Sequence, residues 1–195
     1  EYTSQMAGLM ERYKDILTPE QLQQMEEQIK AGPLMILLIT LGQALVAGFT
    51  INALAAFFEE IGWRGLLYQQ FRKNGFWVSS LIIGAIWGFW HGPIILMGHN
   101  YPEHPVIGVG MMIIWCILLA PMFTLIRDKS GSVIAAAIMH GTLNAFAGVP
   151  MMYIIGGNDL TVGVTGLAGF IALIIINTII YFYQKNNKDL YYQET

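Results

Sequence analysis

The chain has 195 residues, of which 55% are hydrophobic and 12% charged, with a formal net charge of −3. Soluble domains carry roughly a quarter charged residues, so this deficit, with a mean hydropathy of +0.52, excludes an ordinary water-soluble domain and points to lipid as the solvent. No basic run offers a nucleic-acid surface, and one cysteine, Cys116 inside an apolar run, excludes a disulfide framework or a cysteine zinc cluster.

The chain opens at Glu1 on a polar segment with no signal-peptide pattern, which predicts a piece of a longer protein with further helices ahead of residue 1. Residues 1–32 read as a polar, amphipathic helical arm on or near the membrane surface or as a solvated connecting arm. Within it, Thr18-Pro19-Glu20 predicts an N-cap, a proline in the first helical position and an acid in the first turn. From Pro33 the character changes. Apolar runs follow at Leu34–Phe58, Phe76–Met97, 105–126, 132–155 and 163–183. Each is long enough to cross a hydrocarbon core about 30 Å thick. The expected fold is therefore all-α, a polytopic transmembrane helix bundle with about five spans over residues 33–184, and a tail at 185–195.

Basic residues set the expected orientation. Arg72 and Lys73, Arg127 and Lys129, and Lys185 and Lys188 all fall on one side if the spans alternate. The opposite loops, 98–104 and 156–162, hold no lysine or arginine. The positive-inside bias then puts the C-terminus in the cytoplasm.

Polar residues inside these runs are costly. A charge at bilayer depth costs at least ~2.5–3.5 kcal/mol unless it is met by another polar group or trapped water. Glu59, Glu60 and Arg64 end the first run, His91 lies in the second, and His140 and Asn144 lie in the fourth. His140 and Asn144 share a helix face, Glu60 and Arg64 are spaced for an internal ion pair, and Glu59 points about 100° away from Glu60. At about 1.5 Å per residue, Glu59, His91 and His140 fall roughly 18, 22 and 15 Å from the cytoplasmic ends, in one layer. Gly62 and Gly65 are placed to break the first helix and shift its estimate by several ångströms. A carboxylate beside an imidazole can deprotonate water, and a second imidazole with a carboxamide can donate to an oxyanion. The set Glu59, His91 and His140 also has the composition of an open zinc site.

The bland assignments are equally definite. Gly84-x-x-x-Gly88 reads as helix packing, Cys116 as packing, His99 and His104 as an exposed loop, and Trp77, Tyr181, Phe182 and Tyr183 as an interfacial belt. No G-x-S-x-G setting supports serine catalysis.

Three motifs in order resemble the CPBP intramembrane proteases, which include the type II CAAX-processing endopeptidases and the bacterial Abi proteins. Glu59-Glu60-Ile61-Gly62-Trp63-Arg64 resembles E-E-x-x-x-R. Trp87-Gly88-Phe89-Trp90-His91 resembles F-x-x-x-H with tryptophan in place of phenylalanine. His140-Gly141-Thr142-Leu143-Asn144 resembles H-x-x-x-N/D. The resemblance implies an intramembrane glutamic endopeptidase in which Glu59 and His91 activate water, His140 and Asn144 stabilise the oxyanion, and Glu60 and Arg64 support them, without metal. The implied partners are membrane lipid and a peptide or protein substrate near the membrane, such as a CAAX-type or bacteriocin peptide. The expected location is the plasma membrane of a bacterium or archaeon. Two other functions suit the same residues: a proton- or ion-translocating protein and a noncatalytic peptide-binding immunity protein.

Overall fold

The computed structural model describes residue 2 and residues 6–186; most of the tail at 185–195 lies outside the described residues. Helices α1 (Ala7–Tyr13) and α2 (Pro19–Ala31) form the polar arm. The Thr18 hydroxyl accepts from the Gln21 amide at 3.3 Å, while the Gln21 side chain accepts from the Thr18 amide at 3.0 Å. This reciprocal cap starts α2 at Pro19, as Thr18-Pro19 predicts. The arm does not stand free. Met6, Ile29 and Met152 form a small buried cluster, Tyr2 stacks on Tyr153, and the Gly156 amide donates to Glu11 at 3.0 Å.

The first two apolar runs are each divided. α2 meets α3 (Pro33–Phe49) at a bend of 101°. α3 stops at Thr50, whose hydroxyl turns back to the Val46 carbonyl at 2.5 Å and whose backbone leaves the helical region. Such local bonding competes with the helical ladder. α4 (Ile51–Glu60) then runs into a wide π-turn, Ile61–Leu67, and a short α5 (Tyr68–Phe71). α6 (Phe76–Trp90) breaks at His91 before α7 (Gly92–Leu96). The remaining runs give α8 (Pro105–Ser130), α9 (Val133–Phe146), extended by a 3-10 turn at Pro150–Tyr153, and α10 (Leu167–Asn186). Among the described residues, three segments are long and apolar enough to cross a membrane, or up to four if the bent α2–α3 pair is one span; α6 is shorter. The chain is thus a polytopic helical bundle, with fewer unbroken spans than its apolar runs suggest.

Lipid solvates apolar side chains as well as a core does, so close backbone contact and polar pairs must hold such helices together. Gly84 and Gly88 press α6 onto α8. A Cβ on Gly84 would sit 2.7 Å from the Cys116 carbonyl oxygen, and one on Gly88 would sit 2.5 Å from Ile113 Cα. Buried Cys116 is part of this packing. Gly141 brings α9 onto α3 and α4, since its Cβ would fall 2.6 Å from the Gly48 carbonyl oxygen. The Ser80 hydroxyl donates to Thr124 at 2.8 Å between α6 and α8, and Asn177 on α10 donates to the Leu118 carbonyl at 2.7 Å. The missing N–H of Pro121 frees the neighbouring Ile117 carbonyl in the α8 ladder. Large apolar side chains such as Leu38, Val46, Ile171 and Ile175 face outward.

The two basic-free loops meet each other. Asp159 accepts from the amides of Glu103 (2.7 Å) and His104 (3.2 Å), and His104 Nδ1 lies 2.6 Å from its other oxygen. His104 is therefore a loop clasp, while His99 is exposed. Trp77 and Tyr181 meet on α6 and α10, with ring centroids 6.3 Å apart.

Two outcomes test this architecture. Gly84→Leu should destabilise the bundle by about 1–3 kcal/mol through overpacking, measured by unfolding in micelles. Gly110→Leu, where a Cβ meets nothing within 4 Å, should not, and equal effects would contradict the α6–α8 contact. In the clasp, burial opposes ionisation of Asp159, but the His104 side chain and the two amides outweigh it and hold its pKa below the usual value. A depressed carboxylate stabilises the fold above its unfolded pKa and loses that contribution as pH falls through the folded one. Exchange at the Glu103 and His104 amides should therefore be faster in Asp159→Asn than in wild type at neutral pH. The difference should begin to shrink near about pH 4, where an unfolded carboxylate titrates, and vanish once pH has fallen through the lower folded value. Equal protection at pH 7 would refute the clasp.

Candidate active site

The polar residues of three separated helices meet. Glu60 ends α4 with its side chain fully buried, and one of its oxygens, Oε1, accepts from two donors. Arg64 Nη1 reaches it at 3.0 Å from the π-turn, and His140 Nδ1 reaches it at 2.9 Å from α9. The Arg64 guanidinium is 1% exposed. It lies between two aromatic faces, 4.6 Å from the Trp87 ring and 4.2 Å from the Phe123 ring. His140 sits edge-on against the same two rings, at 5.3 and 5.6 Å. Delocalised guanidinium is the cation best suited to such stacking. Glu60 Oε2, Arg64 Nε and Arg64 Nη2 are buried with no protein partner. Each costs about 1–3 kcal/mol unless water meets it.

Glu59, one residue earlier, points elsewhere. It is half-buried, and its Oε2 accepts from the indole N–H of Trp87 at 3.2 Å and, more weakly, from that of Trp63 at 3.4 Å. Trp87 also serves His91, one turn on. His91 Nδ1 lies 2.9 Å from the Trp87 carbonyl. A carbonyl can only accept, so Nδ1 carries the hydrogen and Nε2 of the neutral ring keeps a free lone pair. One tryptophan thus joins Glu59 to His91 and packs its ring against Arg64 and His140 of the buried cluster.

The π-turn makes this spacing. In an α-helix the Tyr68 amide would bond the Arg64 carbonyl; here it bonds Trp63 and Gly65 instead. The orphaned Arg64 carbonyl accepts from Arg127 Nε on α8 at 3.0 Å. Arg127 also lies over Tyr68, whose hydroxyl bonds Asp128. Gly62 and Gly65 fall in this turn, so the break expected beside Glu59 is a widening of the helix. π-turns of this kind are frequent at functional sites.

Of the residues singled out from sequence, Glu59, Glu60, Arg64, His91 and His140 therefore form one connected cluster. Asn144 lies one turn beyond His140 on α9 but is exposed, and none of these hydrogen bonds reaches it. Among the described residues, no three His, Cys, Asp or Glu side chains are grouped to hold a metal ion. From sequence, Trp87 reads as tryptophan in place of the motif's phenylalanine. Its signal was available, because a lone indole N–H buried in an apolar helix needs an acceptor. Phe123 gave no signal inside its apolar run.

A polytopic bundle enclosing a buried glutamate–histidine cluster defines the class: a helical integral membrane protein with a polar cluster inside its bundle. Residues 36–146, which hold all three motifs, match the family described as Type II CAAX prenyl endopeptidase Rce1-like, and the chain belongs to that family. A curated relative is "CAAX prenyl protease 2" of Methanococcus maripaludis, 26% identical over 106 residues, covering 47% of this chain and 36% of that protein. The chain thus spans about a third of the relative's length. No solved structure matches.

Breaking the buried cluster should cost stability rather than only chemistry. Glu60→Ala leaves Arg64 uncompensated and should lose about 3–5 kcal/mol, while Glu59→Gln should lose less than about 1 kcal/mol, as a half-buried group keeping its hydrogen bonds. Unfolding in micelles measures both, and an equal loss would contradict the separation of the two carboxylates.

Proposed function

We propose that this chain carries the site of an intramembrane endopeptidase that hydrolyses a peptide bond near the C-terminus of a prenylated CAAX-type substrate. The observation that supports it best is the Trp87 bridge. It ties a half-buried carboxylate, through the indole N–H, and an imidazole of fixed tautomer, through the backbone carbonyl, to one residue inside an apolar bundle. Family membership and the relative's name favour peptide-bond hydrolysis over ion transport or passive peptide binding.

In this reading Glu59 takes a proton from the attacking water, using the oxygen its indole partners leave free, while His91 Nε2 accepts a hydrogen bond from the same water. The carbonyl carbon of the scissile bond is attacked and its oxygen becomes negative. His140 Nε2 donates to that oxygen when its ring carries both protons, and Glu60 fixes the ring through Nδ1. This is the orienting role a carboxylate plays for histidine in hydrolytic triads. Asn144, exposed at the next turn, supplies a second donor once substrate lies over α9. Glu59 then delivers its proton to the leaving amine, and the hydrolysis is balanced by one water. Arg72, Arg127 and Lys185 face the cytoplasm in this proposal, and so does the C-terminus.

The test is cleavage of a quenched-fluorescence peptide ending in a prenylated CAAX sequence, by the full-length protein in vesicles. Glu59→Gln and His91→Ala should each lower the rate by about 10²–10⁴-fold while still inserting. A metal chelator should leave the wild-type rate unchanged. Activity within threefold of wild type in Glu59→Gln, on the order of what an unimportant group would give, would overturn the assignment. Cleavage of only the unprenylated peptide would overturn the substrate class.

A further inference from the structure

Trp87 occupies the position where the resembling motif has phenylalanine, and its indole N–H does something phenylalanine cannot. It donates to Glu59 Oε2 at 3.2 Å from a ring that is 1% exposed. The same residue lies under Arg64, against His140, and accepts from His91 through its carbonyl. All but one of these contacts need only the aromatic face or the backbone and would survive in phenylalanine; the Glu59 hydrogen bond would not. Trp63 offers Glu59 a second N–H at 3.4 Å, and it is only partly buried, packed edge-on against Trp90 at 5.8 Å.

We propose that Trp87 is a positioning residue whose indole N–H fixes the rotamer of Glu59, so that Glu59 Oε1 is held toward the water beside His91. This rests on the reading of Glu59 as the base. The chemistry behind it is simple. A glutamate at the end of α4, next to a π-turn, has three free torsions and is met by no cation of its own, because Arg64 is taken by Glu60. A charge-assisted bond from a rigid, buried donor selects one orientation. The second indole strengthens that selection without being required for it. The motif's usual phenylalanine fills the same volume without this restraint, so the chain has taken on a dependence of its own.

Two measurements decide it. In vesicles, with the prenylated CAAX peptide, Trp87→Phe should lower kcat about tenfold, the size of one lost hydrogen bond to a charged group, with KM within twofold. Trp63→Phe should cost less than Trp87→Phe, and Trp77→Phe, at the far end of α6, should change nothing. Independently of any substrate, Trp87 labelled with ¹⁵N at the indole should show its N–H resonance moving upfield in Glu59→Gln. If Trp87→Phe does not fold, 3-benzothienylalanine at position 87, a sulfur isostere of the same shape, replaces it in the rate measurement. Wild-type kcat in the phenylalanine or isostere variant, or an unmoved indole resonance, overturns the proposal. An inactive wild type, or an active Glu59→Gln, instead sinks the peptidase reading and leaves the resonance to report on the contact.

Discussion

Glu60 is a carboxylate with no access to solvent in a protein surrounded by lipid, and its charge has to be met from inside the bundle. Arg64 and His140 do so through one oxygen. Because Arg64 lies in the π-turn, His140 belongs to α9, and the Arg64 guanidinium is sandwiched between α6 and α8 side chains, a single acceptor fixes the relative placement of four helical segments. The desolvation of two ions is too costly to leave either partner alone. The rest of the site inherits its geometry from this arrangement.

The widened turn after α4 and the glycine contacts serve the same end. An unbroken α-helix would carry Glu59, Glu60 and Arg64 with no loose carbonyl; the π-turn exposes one, and Arg127 from α8 takes it. Gly84 and Gly88 bring α6 close enough to α8 for Trp87 and Phe123 to enclose the guanidinium, and Gly141 lets α9 approach near His140. Lipid supplies no hydrophobic drive toward these contacts, so small residues and satisfied polar groups carry the packing.

Much of this was legible in the residues. The four-residue spacing of Glu60 and Arg64 announces an ion pair, and it survives the change from α to π because both side chains stay on one side of the turn. His91 and His140 stood out because imidazoles are rare in apolar runs. Gly84 and Gly88 read as packing, and they pack. The helix breaks were hidden. Thr50 ends α3 by bonding Val46, yet threonine is common inside helices, and nothing in its neighbours marks a stop. The break at His91 divides an apolar run that reads as one span by length alone. The docking of the arm onto the segment after α9 depends on Met6, Ile29 and Met152, which are far apart in sequence and carry no pattern. The hydrogen bond from Trp87 is within reach of donor counting, since tryptophan in place of phenylalanine adds a buried N–H that needs an acceptor.

The shared acceptor at Glu60 is the claim on which the proposed chemistry stands, since it orients His140 and leaves Glu59 free. A double-mutant cycle on Glu60→Gln and His140→Ala, read by reversible unfolding in micelles, measures it directly. A coupling above about 1 kcal/mol is expected for residues in one hydrogen-bonded network. Additivity within about 0.5 kcal/mol, the behaviour of independent sites, would contradict the account.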